Sequence, residues 1–272
     1  MKHYIVSDPH GYYTELEKAL RESGFFDETE PHKLVICGDV LDRGKEAERM
    51  IDFLLSLKEE NRLVYILGNH EDLLVQCLHQ LSSGGVHEIA SGMSHHYTNG
   101  TWDTLLQISG MDELEAYRYP LELVRAVMHS RFYRELLPAA LDYYETEHYI
   151  FVHGWIPCRL EGFRPNEKYR YDPDWRYAEP YSWKRARWFN GMDVACNHSV
   201  MELGKTVVCG HWHASYGHCH FEQKGSEYGS DADDSPFYAN GIIALDTRTA
   251  VSRLVNCIVI EDDVLHDEGM EA

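Results

Sequence analysis

Residues 35–44 read Val-Ile-Cys-Gly-Asp-Val-Leu-Asp-Arg-Gly (VICGDVLDRG), and the fold is decided by how this stretch changes character. Leu34, Val35, Ile36 and Cys37 form an apolar run of the kind that makes a buried strand, and the run stops at Gly38. Asp39, Asp42 and Arg43 then crowd into one short turn closed by Gly44. Charge therefore sits at the carboxyl end of a strand, where α/β folds place their ligands. Asp and Gly are also ordinary turn residues, and Arg43 can simply neutralise Asp42, so the turn alone leaves a structural reading open.

Two other apolar runs end in the same way. Tyr4-Ile5-Val6 leads into Ser7-Asp8-Pro9-His10-Gly11, and Leu63 to Leu67 leads into Gly68-Asn69-His70-Glu71. Three strands thus deliver Asp, His, Asp and Asn to one rim. A carboxylate shared between two cations and flanked by His and Asn is what a dinuclear site of hard or borderline metals needs.

The helical spacing of Tyr13 to Ser23, closed by Gly24, and of Lys45 to Glu60 alternates with these strands. The resulting βαβαβ series favours parallel pairing with right-handed crossovers. From about residue 73 to 147 the chain turns polar and helix-rich, with Glu122 to Leu141 amphipathic, and reads as a helical cap inserted into one domain spanning 1–272. Strands then return at His148 to Val152, Thr206 to Cys209, Ile242 to Leu245 and Leu254 to Ile260. These run into His153-Gly154, into His211-Trp212-His213 and into Asp246-Thr247, and the acidic tail from Glu261 to Ala272 is expected to fray.

Composition sets outer limits. The 272 residues, 44% apolar and 26% charged, can bury one large core. A formal net charge of -20 argues against a general binder of nucleic-acid polymers or membrane surfaces. No signal-peptide pattern or spanning apolar run is present, and the seven cysteines, with no Cys-x-x-Cys pair, read as free thiols; a cytoplasmic location is the expectation. Oligomeric state is not legible. Within this acidic chain, Arg159 to Arg187 is locally basic and aromatic, and reads as an anion-facing wall or as a solvated loop.

Taken together, DPHG, GDVLDRG, GNHE, HGW and GHWH, in this order, resemble the calcineurin-like metallophosphoesterases, in the branch of phosphoprotein phosphatases and symmetric dinucleoside tetraphosphatases. The resemblance implies a four-layer α-β-β-α sandwich of two mixed sheets with a helical cap insertion. It implies a hydrolase with two divalent metal ions (manganese, iron or zinc), held by Asp8, His10, Asp39, Asn69, His153, His211 and His213, with Asp39 bridging. A metal-bridging hydroxide would attack phosphorus directly, His70 would protonate the leaving oxygen, Asp42 would orient His70, and Arg43 would clamp the phosphoryl group. Trp183-Lys184-Arg185 resembles the Trp-x-Arg of phage-type phosphatases, which makes Arg185 a second phosphate contact with Arg187 as its fallback.

Leu67 stands where phosphoprotein phosphatases place an Arg before GNHE, as in the symmetric tetraphosphatases, whereas Glu71 and the Asp42-Arg43 pair look more like the protein phosphatases. The implied substrate is a phosphomonoester, carried by a phosphorylated protein or a small molecule, which makes a protein serine/threonine phosphatase the leading expectation. The alternative is a symmetric dinucleoside tetraphosphate (Ap4A) hydrolase that stacks bases on Tyr169, Tyr171, Trp175 and Tyr177. A catalytically silent binding protein on the same fold is the third reading.

Overall fold

The computed structural model describes residues 1–89, 94–162 and 168–264. The first sheet contains β1 (Lys2–Val6), β2 (His32–Cys37) and β3 (Leu63–Ile66), all parallel, with α1 (Tyr13–Glu22) and α2 (Ala47–Glu59) as crossovers. The helical spacing of the sequence thus located both crossovers. After β3 the chain is helical through α3 (Asn69–Ser82), α4 (Val86–Ile89), α5 (His95–Thr98), α6 (Thr101–Ser109), α7 (Glu113–Arg118) and α8 (Pro120–His129). The amphipathic stretch expected to run to Leu141 breaks after α8. A π-helical turn at Phe132–Leu136 and a 3₁₀ turn at Leu137–Ala139, carrying Pro138, complete it.

The second half builds the other sheet from β4 (Tyr144–Glu145) and β5 (Tyr149–Phe151), a separate hairpin from β6 (Cys158–Glu161) and β7 (Lys168–Tyr171), and then α9 (Pro180–Ala186) and α10 (Gly191–Cys196). β8 (Thr206–Cys209), α11 (Ala214–Phe221), β9 (Phe237–Ala239), β10 (Ile242–Ala244), α12 (Thr249–Ser252) and β11 (Ile258–Glu261) follow. The last strand returns to the first sheet and pairs antiparallel with β1, so the orders are β11-β1-β2-β3 and β4-β5-β8-β10-β9. Both sheets are mixed, as the resemblance implied. The acidic tail lies outside the described residues from 265 onward, and so do Arg164 and Glu167 of the basic stretch.

Side-chain alternation explains the layers. Ile5, Val35, Cys37, Val64 and Ile66 of the first sheet meet Phe151, Val208 and Ile243 of the second in one apolar slab. Their neighbours Tyr4, Val6, Leu34 and Ile36 face α1, α2, α3 and the helices that follow α3 instead, while Ile150, Val207, Cys209 and Ile242 face α9 and α10. Because successive side chains of a strand point to opposite faces, a strand packed on both sides must be apolar throughout, which is why these runs carry no polar alternation. The strands therefore share a common core and bring their carboxyl ends to one rim.

Candidate active site

The motif loops leave the strands in a conformation that ordinary residues avoid. Among the described residues, six of the eleven non-glycine positions with positive φ are Asp8, His10, Asp39, Asp42, Arg43 and His211. Left-handed backbone costs about 1 kcal/mol or more per residue and persists where the surroundings over-determine it, typically at functional sites. Gly68 and Gly210 allow the crowding: a Cβ on Gly68 would collide with Asp39 Oδ1, and one on Gly210 with Asp8 Oδ2.

Asp39 lies at the centre. Its Oδ2 is 3.8 Å from Nε2 of both His10 and His70, and its Oδ1 is 3.3 Å from His153 Nε2. Two groups of potential metal ligands, His10-Asp39-His70 and Asp39-His153-His211, therefore share this carboxylate. Asn69 Oδ1 lies 2.7 Å from His153 Nε2, which adds it to the second group. Asp8 is buried nearby and accepts the His211 backbone N–H at 3.0 Å. The expected set of Asp8, His10, Asp39, Asn69, His153 and His211 thus converges, and His70 stands among it.

His213 does not join this set. It is directed to Glu227, with Nε2 3.0 Å from Oε1, and stacks on Trp212. His213 is the N-cap residue of α11, and its ring is held by Glu227 from across the following loop.

The donors suit a cation. His10 Nδ1 donates to the Leu41 carbonyl at 3.1 Å and His153 Nδ1 to the Cys37 carbonyl at 2.7 Å. Each imidazole is thereby held as the tautomer with a lone pair on Nε2; that of His153 faces Asp39 Oδ1, and that of His10 accepts from Arg43 Nη1 at 2.8 Å. Burial, then the neighbouring cations Arg43 and His70, holds His10 far below its usual range, and burial also lowers His153. Burial followed by the His153 imidazole takes His211 to about 3. The His153 lone pair opposes the Asp39 and Asn69 oxygens without an intervening proton, and a divalent ion would remove that repulsion.

Carboxylate crowding points the same way. Burial, and then the Asp246 and Asp39 charges, push Asp8 well above its ordinary value. Asp246 is raised to about 6, chiefly by burial, with Arg248 N–H and Arg43 working against the rise. Burial also opposes ionisation of Asp39, yet the imidazoles of His153, His70 and His10 outweigh it and hold Asp39 below the usual range.

His70 and Asp42 form a buried dyad, His70 Nδ1 donating to Asp42 Oδ2 at 2.7 Å. Burial lowers the His70 pKa, but Asp39 and Asp42 together hold it above its ordinary value. Arg43 is the adjacent cation, with Nη1 2.8 Å from His10 Nε2 and Nη2 3.1 Å from His70 Nε2. It lines both a cleft of about 530 Å³ with Tyr12, Lys45, Tyr97 and Trp102, and one of about 490 Å³ with His211, Trp212, Tyr228 and Asp246.

The basic stretch is mostly paired within the chain. Arg159 holds Asp172, Arg170 holds Glu161, and Arg176 holds Glu145 and Glu202. Arg187, the fallback phosphate contact, is buried with Nη1 2.8 Å from Asp72 Oδ2 and Nη2 on Asp142 Oδ1. Two carboxylates already compensate its charge, so this residue ties α3 and the end of the insertion to the body. Arg185 is exposed on α9, its guanidinium over the Tyr181 ring. Half of the aromatic loop packs inward: Trp175 is buried between Tyr143 and Trp183 and Tyr169 meets Phe189, whereas Tyr171 and Tyr177 are exposed. Base stacking on Trp175 is therefore ruled out by its burial.

Three residues that shape this site are given no role in it by the sequence. Asp246 sits at a strand end, the same signal that marked the other motifs. Glu71 accepts the backbone N–H groups of Gly68, Asp39 and Val40, tying the loops after β2 and β3 together. Trp188 lies edge-on to His211 at 5.7 Å and approaches His95 of the insertion; no spacing rule marks it.

Residues 1–227 match the family model described as calcineurin-like phosphoesterase. Among curated relatives, a symmetrical bis(5'-nucleosyl)-tetraphosphatase from Buchnera aphidicola subsp. Acyrthosiphon pisum (strain 5A) is 37% identical over 75 residues, 28% of this chain and 26% of that protein. An asymmetrical bis(5'-nucleosyl)-tetraphosphatase from Anoxybacillus flavithermus is 34% identical over 76 residues, 26% of this chain and 31% of that protein. The matched stretches thus span about a quarter to a third of these relatives. The solved structure of a cold-active protein tyrosine phosphatase aligns with 96% of this chain and 73% of its own at a TM-score of 0.52 and 15% identity, a likeness of fold.

Proposed function

The chain belongs to the calcineurin-like phosphoesterase family, and from that premise we propose that it hydrolyses phosphomonoesters with two divalent cations, as a protein serine/threonine phosphatase. The observation that carries the reading is Asp39, whose two oxygens face separate imidazole clusters while the His70-Asp42 dyad and Arg43 stand against it. Asp8, His10 and Asp39 would hold one cation, and Asp39, Asn69, His153 and His211 the other. When bound, the cations supply a Lewis-acid field that neutralises phosphoryl charge and makes water a stronger acid. Asp, Asn and His suit manganese, iron and zinc alike.

The protein's own groups do the rest. Arg43 offers two N–H donors in a planar fork, which fits two phosphoryl oxygens. Arg185, exposed on α9, is proposed as a second contact for the anion. His70, fixed through Nδ1 on Asp42, presents Nε2 and donates its proton to the leaving oxygen as the ester bond breaks. Two clefts that both border Arg43 leave open space on either side of it, which supports a substrate larger than the phosphoryl group.

A second reading, dinucleoside tetraphosphate hydrolysis, is favoured by the Trp212 and Tyr228 rings in the cleft beside Arg43 and by what the curated relatives are named for. The test is phosphate release from a phosphoserine peptide, an aryl phosphate and diadenosine tetraphosphate with manganese supplied. Turnover of the first two is expected, whereas hydrolysis of the tetraphosphate alone overturns the phosphatase reading in favour of the second.

Among the described residues no helix is long and apolar enough to cross a membrane. All seven cysteines are unpaired, which supports a reducing compartment, and a cytoplasmic location is proposed.

A further inference from the structure

The insertion reaches into the chemistry through the first turn of α6. Thr101 Oγ1 donates to Asp42 Oδ2 at 2.7 Å, the same oxygen that accepts His70 Nδ1–H at 2.7 Å. Three residues on, Thr104 Oγ1 accepts the Asp42 backbone N–H at 3.1 Å. Just before the helix, Gly100 adopts φ +86°, and a Cβ there would collide with the Arg43 backbone nitrogen. Thr101, Thr104, Asp42 and His70 are all buried. One end of α6 is thus fitted against the backbone and side chain of the turn that carries Asp42 and Arg43.

The double use of Oδ2 has a physical consequence. Rotation of an Asp carboxylate about its last torsion is broad and only two-fold, so the rotamer does not fix the carboxylate plane. Asp42 Oδ1 has no hydrogen-bond partner, so donors on Oδ2 alone set that plane. His70 supplies one of them and is itself the group to be oriented. Thr101 supplies the other, from a helix that belongs to the insertion.

We propose that Thr101 is a positioning residue: it fixes the Asp42 carboxylate, and through it the His70 imidazole, toward the leaving oxygen. The inference rests on the reading of His70 as the leaving-group acid. It makes the insertion part of the acid machinery, because movement of α6 relative to the turn at 39–44 reaches His70 through two hydrogen bonds.

Three variants test this. Thr101→Val keeps the shape and removes the hydroxyl, Thr101→Ser restores the hydroxyl, and Thr104→Val breaks the contact to the Asp42 backbone while leaving the carboxylate contacts. With manganese supplied, kcat and KM are measured for aryl phosphates graded from good to poor leaving groups. For Thr101→Val, kcat is expected to fall about tenfold for poor leaving groups and little for good ones, with KM unchanged. Thr101→Ser is expected to recover the shallower dependence, and Thr104→Val to lower the melting temperature without steepening it.

A second readout needs neither metal nor turnover. In chelator-treated protein the His70 Nδ1–H proton is expected as a downfield, slowly exchanging resonance that exchanges faster in Thr101→Val and returns in Thr101→Ser. An equal loss of kcat across the whole series, or an unaltered His70 resonance, overturns the proposal. If the wild-type protein cleaves none of the esters, the phosphoesterase reading fails, and the resonance still decides whether Thr101 holds the dyad.

Discussion

The Glu71 carboxylate holds Asp39 by its main chain, accepting the Asp39 N–H at 3.1 Å while also binding the N–H groups of Val40 and Gly68. Burial and the nearby Asp39 charge raise Glu71 to about 7 against these three donors. In Glu71→Gln an amide NH₂ would face a backbone N–H, which leaves a buried donor unsatisfied. A stability loss of about 1–3 kcal/mol is expected in urea unfolding. Metal affinity is expected to drop about 10- to 100-fold by calorimetric titration, because the supporting bonds orient the shared ligand.

His70 lies within reach of the metal cluster yet is bonded through Nδ1 to Asp42. His70→Asn is therefore expected to keep the metal content of the wild type by elemental analysis. Its turnover of esters with poor leaving groups is expected to fall by about 10²–10⁴. Loss of one metal equivalent would instead make His70 a ligand.

Asp246 faces the Asp8 charge in the buried rim. In chelator-treated protein, Asp246→Asn removes like-charge repulsion while the side-chain oxygen still accepts the Arg248 N–H. The melting temperature of the metal-free variant is expected to rise, by about 1 kcal/mol of stability. The stabilisation gained on adding manganese is expected to shrink, since the rim then holds less negative charge to offset.

Arg187 binds Asp72 and Asp142 from a buried position. Arg187→Leu leaves both carboxylates without their cation and is expected to cost about 3 kcal/mol in chemical denaturation. KM for an aryl phosphate is expected to hold. A rise in KM without loss of stability would return Arg187 to the substrate site.

Asp262, buried beside the end of β11, accepts both the backbone and ring N–H of His148. Burial alone would raise its pKa, but these donors outweigh it and take Asp262 down to about 2. A carboxyl group with a depressed folded value adds stability that is complete above its unfolded value near 4 and disappears as pH falls through about 2. Urea unfolding at neutral pH is expected to show Asp262→Asn less stable by about 2 kcal/mol, with the gap closing between about pH 4 and 2.

Much of the site was legible because it is written at strand ends. A strand buried on both faces must be apolar, so the first polar residues after it announce the rim, and Asp8, His10, Asp39, Asn69, His153 and His211 were all found by that signal. Asp246 carries the same signal, but its string, Ala-Leu-Asp-Thr, implies no role for the carboxylate without the neighbours that make it acidic company. Thr101 and Trp188 carry no sequence signal, since a helix-initiating Thr and an isolated Trp read as cap and core.

The sequence by itself determined the βαβαβ order of the first half, the return of strands near β5, β8, β10 and β11, and the residue types at the rim, because periodicity and chain breaks are local properties. Only the tertiary structure decided which charges are free. Along the chain Arg187 reads as a fallback phosphate contact and His213 as a further ligand, but Asp72, Asp142 and Glu227, distant in sequence or across a loop, claim them. Asp39 likewise becomes the shared ligand only where two sheets pack face to face and bring imidazoles from both halves of the chain to its two oxygens. Burial then sets the energetics, since a carboxylate or imidazole removed from water is stable only with a partner, and which partner is within reach is a property of the folded chain.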